Sequence, residues 1–210
     1  MILDDAAIPD TLYAFVDESD PMTWNNYNLV GQLTSASYGT SVGDDSDDLL
    51  PYIRNPRAQP RFISPFVVRT LSLWGVELDA ERVRRQIASD APSRLSSVFA
   101  FGSLEDCESA SRMYGWNLEE VRPFRLAEDA DRRVSRVNMQ IVSLARLAYA
   151  KGSLDVDMRD AIWSAYWAGD DGLALELPAP PPDIRREYSS GCLWEYLIYG
   201  RLLRCHGSDR

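Results

Sequence analysis

The stretch CLWEYLIYGRLLR, Cys192 to Arg204, sets one carboxylate among apolar residues. Read as a strand, it puts Leu193, Glu195, Leu197 and Tyr199 on one face and Trp194, Tyr196 and Ile198 on the other. Both faces are apolar, so Glu195 projects among hydrophobic neighbours whichever face packs inward. An unpaired buried carboxylate is costly, and such groups are found ion-paired, opened to a cleft, or used in chemistry. Three readings stay open for Glu195: a salt bridge to one of the many arginines, a strand edge in contact with water, and a functional acid. A second stretch, PSRLSSVFAFGSLEDCESA (residues 92 to 110), packs an arginine, two serines, an apolar run and a fresh helix start into one short segment. It is either an ordinary strand-to-helix connection or one wall of a ligand site.

Other chemistries are poorly supplied. The only histidine, His206, sits in a polar tail, which argues against histidine-ligated zinc, a Ser-His-Asp triad and a Cys-His dyad. The three cysteines, Cys107, Cys192 and Cys205, are odd in number and scattered, so free thiols in a reducing, cytoplasmic compartment are expected, with no metal. A formal net charge of −10 opposes binding to nucleic-acid backbones over most of the surface, although Arg82, Arg84 and Arg85 could form a local basic patch. No apolar run is long enough to span a bilayer, and the acidic start MILDDAAIPD is unlike a signal peptide.

The elements that must position these residues follow from punctuation and periodicity. With 210 residues and 45% hydrophobic content, a single domain with a real core is expected. TLYAFVD (residues 11 to 17) reads as a short strand. Residues 21 to 61 are rich in Asn, Ser, Gly, Asp and Pro, with an acidic cluster at Asp44 to Asp48, and read as a long irregular surface segment. Ser64 and Pro65 start a helix that Gly75 stops, and a second helix starts at Asp79. SSVFAF (Ser96 to Phe101) reads as a buried strand. Ser103 caps a helix carrying Glu105 and Asp106 in its first turn and ending near Gly115. A strand is expected around Leu118 to Leu126, interrupted by Pro123. Helices follow over Arg133 to Ala150 and Asp157 to Trp167. Leu173 to Leu177 is a strand, PAPPPD (Pro178 to Asp183) a linker or loop, and Cys192 to Arg204 the clearest strand in the chain. Separated strands and helices without regular βαβ alternation predict an α+β fold.

The succession PSRLSSVFAFGSLEDC, IWSAYWAGD (Ile162 to Asp170) and LWEYLIYGRLLR resembles an uncharacterised bacterial domain family that looks like a distant relative of the ADP-ribosyltransferases. The match spans roughly residues 77 to 204, with a weaker match of LYAFV to the family's first strand. The resemblance implies one ADP-ribosyltransferase-like domain over residues 1 to 210, with a split antiparallel sheet and packed helices gripping NAD in a central cleft. It implies NAD as a substrate and a macromolecular acceptor; the acidic surface favours a protein over nucleic acid. Carried over by position, Glu195 becomes the catalytic carboxylate and Ser96 or Ser97 the middle-strand residue. Arg94 would stand at the cleft mouth, available to a diphosphate, and Tyr13 or Trp167 would stack on a ring. The early strand reads Tyr13 or Ala14 where the resemblance wants His or Arg. Two alternatives follow: a catalytically inactive binding module of the same fold, and a stand-alone NAD hydrolase.

Overall fold

The computed structural model describes residues 2–17, 19–35, 74–151, 154–181 and 183–205. In chain order these form β1 (Leu12–Phe15), α1 (Pro21–Asn25) with a π-helical stretch (Asn26–Val30), β2 (Gln32–Thr34) and α2 (Trp74–Ile87). There follow β3 (Val98–Ala100), α3 (Leu104–Tyr114), β4 (Val121–Leu126), β5 (Arg133–Asn138), α4 (Met139–Ala150) and α5 (Val156–Ala168). The hairpin β6 (Ala174–Pro178) and β7 (Arg185–Ser189) precedes β8 (Trp194–Tyr199) and β9 (Arg201–Arg204). The fold class is α+β with antiparallel sheets.

Several boundaries follow from identifiable caps. Ser103 Oγ accepts the Asp106 N–H at 3.1 Å and starts α3, which stops at Gly115 with φ 70°. Asp155 does the same for α5 through Met158 N–H at 2.8 Å. Asn138 corrects one sequence expectation. The helix expected from Arg133 begins only at Met139, because Arg133–Asn138 pairs residue for residue with β8. Asn138 then turns the chain: its Oδ1 accepts Gln140 N–H at 3.0 Å and Leu193 N–H at 3.1 Å. Gly75 lies inside α2 and does not end a helix, so the expected break before Asp79 is absent. The helix read from Ser64 lies outside the described residues up to residue 73, as does the acidic cluster at Asp44 to Asp48. The segment read as irregular from residue 21 contains α1, the π-helical stretch and β2 over its described part.

The strands form a four-stranded sheet of order β1-β4-β9-β2, a three-stranded sheet of order β3-β8-β5, and the β6-β7 hairpin. All named pairings are antiparallel. The expected single strand over Cys192 to Arg204 is two strands: Gly200, at φ 147°, bends the chain so that β8 serves one sheet and β9 the other. A second seam joins the sheets, where Tyr13 and Phe101 exchange backbone hydrogen bonds of 2.8 and 2.7 Å.

One core closes between the sheets, from Leu12, Ala14, Phe124 and Leu202 on one side and Ala100, Val134, Tyr196 and Ile198 on the other. The opposite face of the three-stranded sheet presents Val137 and Leu197 to the helices, where Val83, Ile141, Leu144, Ile162, Trp163 and Tyr166 pack. A smaller cluster under α3 holds Phe101, Cys107, Ala110 and Leu193. The alternation read along β8 therefore holds: Tyr196 and Ile198 enter the inter-sheet core, and Leu193, Glu195 and Leu197 point to the helices.

Candidate functional site

Glu195 lies on β8, the middle strand of its sheet, opposite Val137 of β5. It is 5% exposed. Its Oε1 accepts from Arg94 Nη1 at 3.0 Å and from the Tyr166 hydroxyl at 3.1 Å. Arg94 comes from the turn before β3, and Tyr166 from the last half of α5. The other side of the guanidinium meets Glu77 at the start of α2, at 2.9 Å from Nε and 3.4 Å from Nη2. Arg94 Nη1 also donates to Tyr166 Oη, and the guanidinium lies over the Phe99 and Tyr166 rings at 5.4 and 5.1 Å. Thus two helices, a turn and the central strand converge on one charged cluster.

One oxygen of Glu195 is treated differently from the other. Oε1 carries both hydrogen bonds, while Oε2 receives none from the described residues. Burial raises the Glu195 carboxyl above its ordinary value, against the downward pull of Arg94 and the Tyr166 hydroxyl. Burial also opposes the charge on Arg94, yet Glu77, Tyr166 and Glu195 together hold its pKa well above the usual arginine value. Both pKa values rise, with opposite consequences: Arg94 stays a cation between two carboxylates, while burial opposes the charge of Glu195. The guanidinium is therefore a fixed charge, and the carboxylate is the group that burial strains.

The other residues singled out from the sequence are placed as follows. Arg94 is 3% exposed and does not stand at a mouth; its guanidinium is enclosed between Glu77 and Glu195. Ser97 Oγ donates to Ser93 O at 2.6 Å, inside its own turn, and Ser96 is buried beside it. Both serines precede β3 and are not strand residues. Trp167 is 2% exposed, packs edge-on against Tyr166 and donates its indole N–H to Ala80 O at 2.8 Å. It is a core residue tying α5 to α2. Tyr13 is half-buried on β1, packed against the cluster that contains Leu193, two residues before Glu195. The structure brings Arg94 and Glu195 together and leaves Ser96, Ser97, Tyr13 and Trp167 outside their hydrogen-bond set.

Glu77 and Tyr166 were not singled out, and each had a signal. Glu77 and Glu81 stand four apart on α2 beside the buried stripe Val76, Ala80 and Val83, so two acids border an apolar face. Glu81 holds a second buried group: Arg84 at 2.8 and 2.7 Å and the Ser93 hydroxyl at 2.8 Å. Arg84 in turn donates to Ser89 O and Ala91 O at 2.7 and 2.8 Å. The two glutamates thus pin the segment before β3 from both ends. Tyr166 stands four residues after Ile162 on the buried face of α5, which marks a hydroxyl needing a partner.

A polar seam between α3 and α4 adjoins the cluster. Gln140, Ser143 and Arg146 follow one another at three-residue spacing on α4 and are all half-buried. The Tyr114 hydroxyl, at the end of α3, meets Ser143 Oγ and Gln140 Nε2, each at 2.7 Å. Arg146 is close enough to Arg94, Glu77, Glu195 and Tyr114 for each to alter its proton affinity. A separate depression of about 470 Å³, lined by Ile2, Ile87, Ala91 and Trp167 among others, involves neither Glu195 nor Tyr166.

No model of a known protein family matches the chain, and no curated protein matches it. Among the described residues no group of three or more His, Cys, Asp or Glu is placed to hold a metal ion, and no helix is long and apolar enough to cross a membrane.

Proposed function

We propose that the chain is an ADP-ribosyltransferase-like domain that cleaves NAD and transfers ADP-ribose to a macromolecular acceptor, a protein in preference to nucleic acid, with Glu195 as the working carboxylate. The observation that carries this reading is the division of labour within that side chain. Arg94 and Tyr166 fix Oε1, and Oε2 accepts from no described residue, which leaves its lone pairs for a ligand. A carboxylate so held is preorganised, and it sits in a largely dry setting where a developing positive charge is stabilised strongly. Cleaving the nicotinamide bond develops that charge on the ribose, the bonding electrons leave with nicotinamide, and the acceptor's nucleophilic atom takes the ribose carbon while losing a proton. The chain's own part is to hold Glu195 oriented, which Arg94 and the Tyr166 hydroxyl do, while their pull partly offsets the burial that opposes its charge. Two antiparallel sheets joined through β8 and β9 also suit the split sheet that the resemblance implies.

A second reading, an inactive binding module of the same fold, is favoured by two observations. Glu195 is 5% exposed, and Ser97 spends its hydroxyl on its own turn. The decisive experiment pairs NAD calorimetry with nicotinamide release, for the parent and Glu195→Gln. The expected result is NAD binding of similar affinity in both, with turnover reduced by about 10² or more in the variant, since an interaction made mainly in the transition state is removed. NAD binding without nicotinamide release would establish the module. Release unaffected by an acceptor would establish a hydrolase, and no binding heat at millimolar NAD would remove NAD altogether.

A further inference from the structure

We propose that Arg146 forms an oxyanion site, taking a phosphate or carboxylate group of a ligand in the seam between α3 and α4. Of the three polar residues on that stripe of α4, Gln140 and Ser143 are both committed to Tyr114. Arg146 makes no hydrogen bond or ion pair to any described residue, and its Nε is shut away from water without an acceptor. A donor removed from water and left unmet is costly, and more so on a charged group.

The nearby carboxylates do not meet that need. Both oxygens of Glu77 are taken by Arg94, and Glu195 Oε1 serves Arg94 and Tyr166. They balance the charge of Arg146 without supplying its acceptor. Burial, and then the like charge of Arg94, lower the proton affinity of Arg146, so the cation is held at some strain that an arriving anion relieves. A guanidinium presents its donors in a planar fork that matches the paired oxygens of phosphate or carboxylate, which sets the ligand class. The four charges of Glu77, Glu195, Arg94 and Arg146 cancel, so no excess positive field gathers anions here. Selection rests on donor geometry, and modest affinity is expected. The site goes beyond the enzymatic reading and stands whether or not NAD is cleaved.

The test is a thermal-shift and calorimetric titration of the full chain with inorganic pyrophosphate in one arm and malonate in the other. The parent, Arg146→Gln and Arg146→Lys are compared, with Arg136→Gln as a control at an exposed arginine of β5. The expected result is a rise in melting temperature of the parent with at least one ligand, and affinity weakened about tenfold or more in Arg146→Gln but not in Arg136→Gln. A response to pyrophosphate alone identifies a phosphate-bearing ligand, and to malonate alone a carboxylate. Arg146→Lys keeps the charge without the fork and is expected to bind more weakly than the parent, which covers the case in which Arg146→Gln does not fold. No response of the parent to either ligand overturns the proposal, as does an equal response in the Arg146 variants.

Discussion

Glu195 is a carboxylate whose burial works against its charge, and the sign of that effect has a measurable outcome. The native state holds its proton to higher pH than the unfolded chain, because its pKa lies above the ordinary 4.5. Its favourable contribution is therefore complete below the unfolded pKa and is lost as pH rises through the folded one. Glutamine resembles the protonated form, can still accept from Arg94 and Tyr166, and does not titrate. We expect Glu195→Gln to melt at or above the parent once the carboxylate is ionised, and the parent's stability relative to the variant to fall as pH rises from the ordinary carboxylate range through the raised folded pKa. Denaturant titrations at a series of pH values check this; a relative stability that climbs with pH would show that Arg94 outweighs burial. The importance of Glu195 was legible because a single carboxylate stood in an alternating apolar strand. Its partner was not. The chain offers many arginines, and the pairing of Arg94 with Glu195 spans 101 residues, a separation that local pattern does not encode. Tyr166 stayed hidden beside the larger Trp167, whose apolar bulk drew it into the core.

The bend at Gly200 governs the elements. At φ 147° the backbone lies where side chains with a Cβ are strained, and an added Cβ would also meet Arg132 Cβ at 3.4 Å. Gly200→Ala is expected to destabilise the protein by about 1–3 kcal/mol, the usual size of a disfavoured backbone state. The melting temperature read by circular dichroism checks this; an unchanged value would mean that β8 and β9 reach their sheets without the bend. From the sequence, this region read as one continuous strand, because both halves are apolar and a single glycine in a strand is weak punctuation. Elements closed by a cap were the best legible: α3 starts at Ser103 and stops at Gly115, as its polar punctuation dictates. β5 was read as part of a helix, since Val137 and Ile141 also fit helical spacing, and only pairing with β8 decides otherwise. β2 and β7 were missed for a related reason. Gln32–Thr34 and Arg185–Ser189 are short and polar, and they become strands through their partners β9 and β6.

At the scale of the molecule, Arg94 ties the helical layer to the sheet. It joins α2 through Glu77, α5 through Tyr166 and β8 through Glu195. Removing it would leave two enclosed carboxylates without their cation. Arg94→Met is expected to cost about 3–5 kcal/mol, the range for breaking a buried pair by deleting one partner. For a chain of this size that corresponds to a fall in melting temperature of roughly 10 °C. Adding Glu77→Gln to that variant should recover part of the loss, because one stranded charge disappears, and urea melts of both variants check it. A double variant no more stable than the single one would place the loss in packing. The position of β8 and β9 bears on synthesis as well. β8 lies between β3 and β5, and β9 between β4 and β2, so the last of the described strands fill the middle of both sheets. On a translating ribosome, the seven described strands β1 to β7 emerge before the segment that fills both sheets, and β3, β5, β4 and β2 wait with open edges. Nascent chains arrested before residue 194 should stay open to protease until residues 194–204 clear the exit tunnel. Protection gained earlier would mean that one sheet closes on a substitute strand.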